Sequence, residues 1–252
     1  MREIVYYIDE LREYYESHEL FVQLLTDESL PGERRLAWAP SVVPFVMGYS
    51  DLNKYVLRKG EGDADLDPLQ AMLNARTYEA DFPWQWMLND LERLGADGVM
   101  PRSDAARVLW GTDFQHSRRL CLELAALASD APAYAVFAMV QAIEAISIAI
   151  FERCQAITLH DGRECEFFGT KHYLAQASRS LKSPDLDAAA LPILDEPRRE
   201  RAKLMVDRVF VLFDEWSTAL LRFANENEAP ALDYARMVRQ SKDLRPADGA
   251  SL

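Results

Sequence analysis

Apolar residues recur at three- and four-residue spacing along most of the chain, which is the period of an amphipathic α-helix. In the first predicted helix, Ile4, Ile8, Leu11 and Tyr15 form such a stripe. The sequence has no alternating pattern of useful length and no Asn-Gly turn of the kind that predicts a β-hairpin. The chain is therefore predicted to be all-α.

Glycine and proline occur at a few places and divide this pattern into about seven helices. They are predicted over about residues 2–26, 33–59, 67–95, 103–128, 131–159, 167–181 and 195–225. Because a proline inside a helix removes a hydrogen bond and clashes with the preceding turn, Pro40 and Pro44 predict that the second helix is bent or broken. The short connections predict a compact helical bundle rather than a solenoid.

A single domain is predicted to account for most of the chain. The 252 residues are enough to bury roughly 70–75% of the surface of the unfolded chain, and no shift in composition divides them. Residues 1–228 are assigned to this domain. Residues 229–252 are polar and contain Pro230 and Pro246, so we expect a short helix and a mobile tail there.

The charge balance narrows the classes of partner. The chain has 41 Asp and Glu residues against 28 Lys and Arg residues, which gives a formal net charge of −13. Nucleic acids and anionic membrane surfaces attract clustered basic residues, and the sequence has no basic block. We therefore expect neither as a partner.

The sequence predicts a cytoplasmic protein without a membrane span. It has no apolar core of a signal peptide, and its longest apolar region, residues 131–150, contains Glu144 near its centre. The cysteines Cys121, Cys154 and Cys165 are odd in number and lie in or next to predicted helices. This pattern indicates reduced thiols, and Cys165, in a predicted loop, is the one we expect to be reactive.

Glu144 is the strongest candidate for chemistry because apolar residues surround it on nearly every side of its predicted helix. An unpaired carboxylate there would cost several kcal/mol or be protonated. It therefore needs a metal ion, a cation or a hydrogen-bond partner. A buried ion pair and a position facing water are the ordinary alternatives.

His172 is the second candidate. Gln176 and Arg179 lie four and seven positions further on and share its face of the predicted helix. An acid and a second histidine at those two positions would be typical of a metal site, whereas an amide and a guanidinium occupy them here. A hydrogen-bonded core histidine is the alternative.

Glu79 and Asp81 form the third candidate group. They precede Pro83 and two tryptophans, Trp84 and Trp86, and a proline kink opens space between helices. The two acids are therefore expected either to line a pocket or to face solvent while the tryptophans pack.

Four features follow one another in order over about residues 10–225. They are the run Ser-His-Glu-Leu-Phe at 17–21, the run Trp-Gln-Trp-Met-Leu-Asn-Asp-Leu-Glu-Arg-Leu-Gly at 84–95, Glu144, and the run Phe-Phe-Gly-Thr-Lys-His at 167–172. In this order and spacing the chain resembles the heme-oxygenase-like superfamily. That all-α group includes the TenA thiaminases, the cofactorless quinone-forming oxidase of PQQ biosynthesis and the non-heme di-iron oxidases and oxygenases.

The resemblance to the di-iron members implies a ligand set. Those members use a carboxylate and a histidine from one helix, a glutamate from the next core helix and a histidine–acid–histidine face from a third. Carried over, Glu79 or Asp81 would be the first carboxylate, Glu144 the central glutamate and His172 the first histidine of the third helix.

The remaining ligand positions depart from that pattern. Pro83 or Trp86 stands where the first helix should supply a histidine, and Gln176 and Arg179 replace the acid and the second histidine. The positive charge of Arg179 would repel a second iron ion, so a complete di-iron centre is not expected. The residues that remain suit one iron ion or no metal at all, and sequence does not choose between these.

The function implied by the resemblance is a small-molecule metabolic enzyme of the oxidoreductase type, either mono-iron or cofactor-independent, and homodimeric. Glu144 and Glu79 would hold metal or act as acid and base, and His172 would be a ligand or base. Arg179, together with Gln176, would orient a substrate that bears a carboxylate.

Three rival functions stay open. The first is a di-iron oxygenase that recruits Asp81, His160 or Glu164 for the missing ligands. The second is a non-metal transferase or hydrolase of the TenA kind, which would need Cys165 or Cys154 in the pocket. The third is a non-catalytic descendant that binds a small ligand or a partner.

Overall fold

A computed structural model describes residues 1–60, 62–79, 83–179, 191–227 and 234–243. The described residues are all-helical, as predicted, and contain no β-strand. Their α-helices, numbered α1 to α11 in chain order, are Arg2–Tyr15, Gly32–Arg35, Val43–Leu52, Pro68–Glu79, Pro83–Arg93, Arg102–Trp110, Gln115–Ser129, Ala133–Cys154, Thr170–Arg179, Glu196–Glu226 and Tyr234–Asp243.

The first predicted helix is interrupted after α1. Ser17 Oγ donates to the carbonyl of Tyr14, and His18 Nδ1 accepts from the N–H of Leu20. These side chains form hydrogen bonds with backbone groups that would bond to each other in a continuous helix. A π-helical turn, Phe21–Leu25, follows. The prediction of one helix over residues 2–26 is therefore wrong.

The second predicted helix is broken, as expected. Pro40 lies in a 3₁₀ turn, Ala39–Val42, and Pro44 lies in the first turn of α3, where its missing N–H leaves no helical bond unmade. A π-helical turn, Asn53–Leu57, ends the segment.

Two further breaks raise the number of helices above the predicted seven. Pro83 begins α5 instead of lying inside one long helix, and residues 80–82 are outside the described ranges. Gly111 adopts an extended conformation between α6 and α7, so the helix predicted over 103–128 is two helices. The sixth predicted helix begins later than expected, at Thr170, because residues 167–169 form a turn before α9.

Helix α8 is the central element of the bundle. It contacts α1, α4, α9 and α10, and most of its residues are buried. A helix that is apolar on all sides must be covered on all sides, which its neighbours achieve here. It is also the one described helix long and apolar enough to cross a membrane, but 78% of its most apolar window is buried within the fold.

Helix α11 lies in the segment for which a short helix was predicted. Tyr234 donates a hydrogen bond to the carbonyl of Ala96, and Met237 packs with Val108 and Phe223 in a small second cluster. Residues 244–252 of the predicted tail are outside the described ranges, and the division at residue 228 stays a prediction.

Candidate functional site

A largely apolar cavity of about 80 Å³ lies between α3, α5, α8 and α9. We call it the aromatic cavity because five of its lining residues carry rings other than histidine, namely Phe45, Tyr49, Trp84, Phe151 and Phe167. Ser147, His172 and Gln176 supply polar groups to its wall. A second space of about 40 Å³ shares several of these walls.

His172 is almost fully buried, at 2% exposure, and its ring is held on both sides. Nδ1 lies 2.9 Å from the carbonyl oxygen of Phe167, and Nε2 lies 3.2 Å from the amide nitrogen of Gln176. A carbonyl can only accept, so Nδ1 carries a proton, and in the neutral ring Nε2 is then the acceptor. The ring therefore presents a lone pair on the same side as Gln176.

Aromatic rings fix the plane of this imidazole. The ring centroids of Phe151 and Phe167 lie 4.3 Å and 4.6 Å from that of His172, and Trp86 meets its edge at 5.7 Å. Such packing leaves the ring little rotational freedom. The predicted pair of His172 and Gln176 on one helical face is thus brought together at the cavity.

Glu144 does not line the aromatic cavity and makes the buried ion pair that sequence analysis left open. Its Oε2 lies 2.5 Å from Nη1 of Arg76 on α4 and 2.9 Å from the amide nitrogen of Gln141. The side chains of Glu144 and Arg76 are 15% and 10% exposed. A cation therefore satisfies the carboxylate, as its apolar surroundings require.

Sequence reasoning missed Arg76, although a signal for it exists. Leu69 and Leu73 are buried residues of α4, and Arg76 continues their stripe by one turn. A charge at a core-facing position predicts a buried partner in the same way that Glu144 did. Nη2 of Arg76 is buried without a hydrogen-bond partner among the described residues, and its guanidinium lies 5.7 Å from the ring of Phe137, which offsets part of that cost.

The side chains of three predicted site residues lie outside the part of the chain that the structure describes. Asp81 lies outside the described ranges. Glu79 and Arg179 end α4 and α9, and their side chains are outside the described set. The roles assigned to these three residues stay predictions.

The described residues do not assemble the ligand set that iron needs. Among them, no three His, Cys, Asp or Glu side chains lie together in a metal-binding group. Arg76 and Gln141 engage the carboxylate of Glu144, and Phe167 and Gln176 engage both nitrogens of His172.

Two of the three substitute ligands named for a di-iron centre, His160 and Glu164, lie at the surface. The side chain of His160 is 80% exposed and pairs with Glu33, and Glu164 is exposed in the same loop. Neither residue lines the aromatic cavity.

The cysteines are not poised as nucleophiles. Burial raises the pKa of Cys165 to about 12, and burial also raises the pKa of Cys154. Neither residue is among those that line the aromatic cavity. The expectation that Cys165 is a reactive thiol is wrong, because a reactive cysteine is accessible and has a lowered pKa.

Asp90 is a site residue that sequence reasoning did not identify. Its side chain is fully buried, and it accepts hydrogen bonds from the backbone N–H groups of Glu166, Phe167 and Phe168 at 2.6, 2.8 and 3.0 Å. Burial raises its pKa, against the lowering effect of these bonds and of Arg93. Asp90 thereby holds the turn that precedes α9, and this turn sets the position of His172.

Gly169 completes this turn. A Cβ atom at position 169 would lie 1.9 Å from the carbonyl oxygen of Cys165, which is far inside van der Waals contact. Only glycine fits such a close backbone approach. The run of residues 167–172 is thus the local sequence that places the imidazole.

No protein-family model matches this chain, and none of the curated proteins matches it.

Proposed function

We propose that this protein is a heme-oxygenase-like, cofactor-independent oxidoreductase that uses His172 as a general base on a small neutral ring compound. The observation that carries the proposal is the lone pair of His172 Nε2 at the wall of the aromatic cavity. A neutral imidazole held in one orientation is the usual general base of enzymes near neutral pH.

The lining of the cavity favours a neutral, flat substrate. None of the described residues that line it carries a charge, so a carboxylate there would be desolvated without a described partner. The aromatic rings offer stacking faces, and the hydroxyl of Ser147 has no hydrogen-bond partner among the described residues. A substrate with a ring and one or two hydrogen-bonding groups suits these walls.

The size of the cavity sets a limit on the substrate. A cavity of about 150 Å³ is known to hold benzene, and this one is smaller. A single ring therefore requires the adjoining space or a shift of the half-buried Trp84 and Gln176. Larger polycyclic substrates are not expected.

In the proposed reaction His172 Nε2 takes a proton from the substrate in the place now held by the amide of Gln176. The deprotonated ring gives up two electrons to O₂, and a second proton leaves with them. The substrate is thereby oxidised by two electrons and O₂ is reduced to H₂O₂. The resemblance to the superfamily supports this reaction class and the homodimer that we propose. The cysteine pattern and the charge balance support the cytoplasmic location that we also propose, with neither nucleic acid nor membrane as partner.

The test combines binding and turnover. Hydroquinone, catechol and para-aminophenol, each of which can lose two protons and two electrons to give a stable quinone or quinone imine, are titrated against the protein alongside matched carboxylates while Trp fluorescence is recorded. We expect the neutral compounds to bind and the carboxylates to bind at least about tenfold more weakly. O₂ uptake and H₂O₂ release then identify those that turn over.

The matched variants are His172→Gln and His160→Gln. We expect the first to lower turnover by about 100-fold or more and the exposed His160 variant to leave it unchanged. Turnover that persists in His172→Gln would refute the role of His172 as base.

A non-catalytic ligand-binding protein is the second candidate. It is favoured by the hydrogen bonds that already engage both nitrogens of His172. Binding of the neutral compounds without O₂ uptake, and with unchanged affinity in His172→Gln, would support this function over the first.

A further inference from the structure

A single peptide group links the buried carboxylate of Asp90 to the imidazole of His172. The N–H of Phe168 donates to Asp90 Oδ2 at 3.0 Å. The carbonyl of the same peptide group belongs to Phe167 and accepts from His172 Nδ1 at 2.9 Å. Carboxylate, peptide group and imidazole therefore form one continuous chain of hydrogen bonds.

We propose that Asp90 is a positioning residue that sets the tautomer of His172 through the Phe167–Phe168 peptide group. A peptide whose N–H is bound by a carboxylate is polarised, so its carbonyl oxygen becomes a stronger acceptor. The stronger acceptor holds the proton on Nδ1 and leaves Nε2 as the acceptor that faces Gln176. The pairing of a carboxylate with a histidine, familiar in direct contact, thus acts here across a peptide.

The hydrogen-bond donors around Asp90 favour its ionised, acceptor form, against the burial that raises its pKa. Oδ1 accepts from the N–H of Glu166, Oδ2 accepts from two further N–H groups, and Nη1 of Arg93 lies 3.5 Å from Oδ1. A protonated carboxyl would have to turn one oxygen from acceptor to donor among these N–H groups. The carboxylate is therefore the form that fits its neighbours.

Only the catalytic importance of this tautomer rests on the proposed function. The chain of hydrogen bonds exists in the protein without substrate, so it can be tested without turnover. If the role of Asp90 were purely structural, it would hold the turn at residues 166–168 but would not affect which ring nitrogen of His172 carries the proton.

The experiment measures the tautomer of His172 by ¹⁵N NMR in wild type, Asp90→Asn and Glu166→Gln at about pH 8.5, above the usual pKa of imidazole. Glu166→Gln is the control, because it also replaces a carboxylate by an amide in this turn. The side chain of Glu166 binds Arg93 and Asn89. We expect the Nδ1–H form in wild type and in the control. In Asp90→Asn the ratio of Nδ1–H to Nε2–H should fall by about two- to tenfold.

An unchanged ratio in folded Asp90→Asn would overturn the proposal. If that variant does not fold, scalar couplings across the two hydrogen bonds are measured in wild type, and the absence of either coupling overturns it as well. A shifted ratio in a protein that binds none of the ring compounds would instead support the role of Asp90 and refute the proposed function.

Discussion

The carboxylates of Glu144 and Asp90 both lie within the helical core, and they are satisfied in different ways. A guanidinium from another helix pairs with Glu144, whereas backbone N–H groups from one turn bind Asp90. Glu144 could be found from sequence because apolar residues surround it. Asp90 could not, because the polar residues Asn89, Glu92 and Arg93 lie close to it in sequence and because its donors are backbone groups, which a pattern of side chains does not record.

The buried pair of Arg76 and Glu144 leads to a prediction about stability. Glu144→Ala leaves a guanidinium buried without its partner, and such a loss costs about 3–5 kcal/mol of unfolding free energy. In the double variant Arg76→Met/Glu144→Leu both charges are absent, so we expect it to be more stable than the single variant. Urea unfolding measures both, with Arg119→Ala at a 62%-exposed surface pair as the control.

The surface control should change stability by less than about 0.5 kcal/mol. A double variant as unstable as Glu144→Ala would show that the unpaired charge is not the cause of the loss.

At the scale of helices, the periodicity predicts where helices occur better than where they end. The stripe that begins with Ile4 continues past Tyr15, yet Ser17 and His18 divert backbone hydrogen bonds and end α1. Gly111 likewise separates two helices whose apolar patterns appear continuous. These endings depend on local competition for backbone groups, which apolar spacing does not record.

The contact between α2 and the loop after α8 leads to a prediction about pH. Glu33 accepts from the backbone and the ring of His160. The hydrogen bond to Glu33 raises the pKa of His160 above its ordinary 6.5. Burial alone would raise the pKa of Glu33, but its hydrogen bonds with His160 outweigh burial and lower it below 4.5.

The raised pKa of His160 and the lowered pKa of Glu33 determine the pH range in which their contact stabilises the fold. The stabilisation of the fold that comes from protonated His160 is complete below pH 6.5 and is lost as the pH rises through its raised pKa. The contribution of Glu33 is complete above pH 4.5 and is lost as the pH falls through its lowered pKa. The contact should therefore be strongest between these values, and Glu33→Gln should move the NMR titration midpoint of His160 down towards 6.5. An unmoved midpoint would contradict the pairing.

The turn before α9 leads to a prediction about packing. Gly169→Ala brings a Cβ against the backbone of Cys165, so we expect a loss of about 1–3 kcal/mol or more in thermal or urea unfolding. Gly62→Ala is the control, because Gly62 has a positive φ but no described neighbour within 4 Å of the place that a Cβ atom would take. The control should cost only the left-handed backbone penalty of about 1 kcal/mol. Equal losses in the two variants would argue against the clash.

At the scale of the whole molecule, one buried helix organises the candidate site. Helix α8 carries Ser147 and Phe151 on the wall of the aromatic cavity and Glu144 in the ion pair with Arg76. The sequence predicts the all-α class and the shared face of His172 and Gln176. It does not predict which residues of other helices meet α8, because those contacts depend on how the helices pack.

The resemblance to iron-containing members of the superfamily leads to the last prediction. An iron centre would need several helices to direct acids and histidines at one point, whereas Arg76 pairs with Glu144 and would repel a divalent ion. Protein purified without chelator should therefore carry less than about a tenth of an equivalent of iron by elemental analysis. The Gln176→Asp/Arg179→His variant supplies the acid and histidine of the resembled pattern but keeps Arg76 paired with Glu144, so it should also stay below that level. A full equivalent of iron in wild type, lost in His172→Gln, would replace the cofactor-independent mechanism with a metal-dependent one.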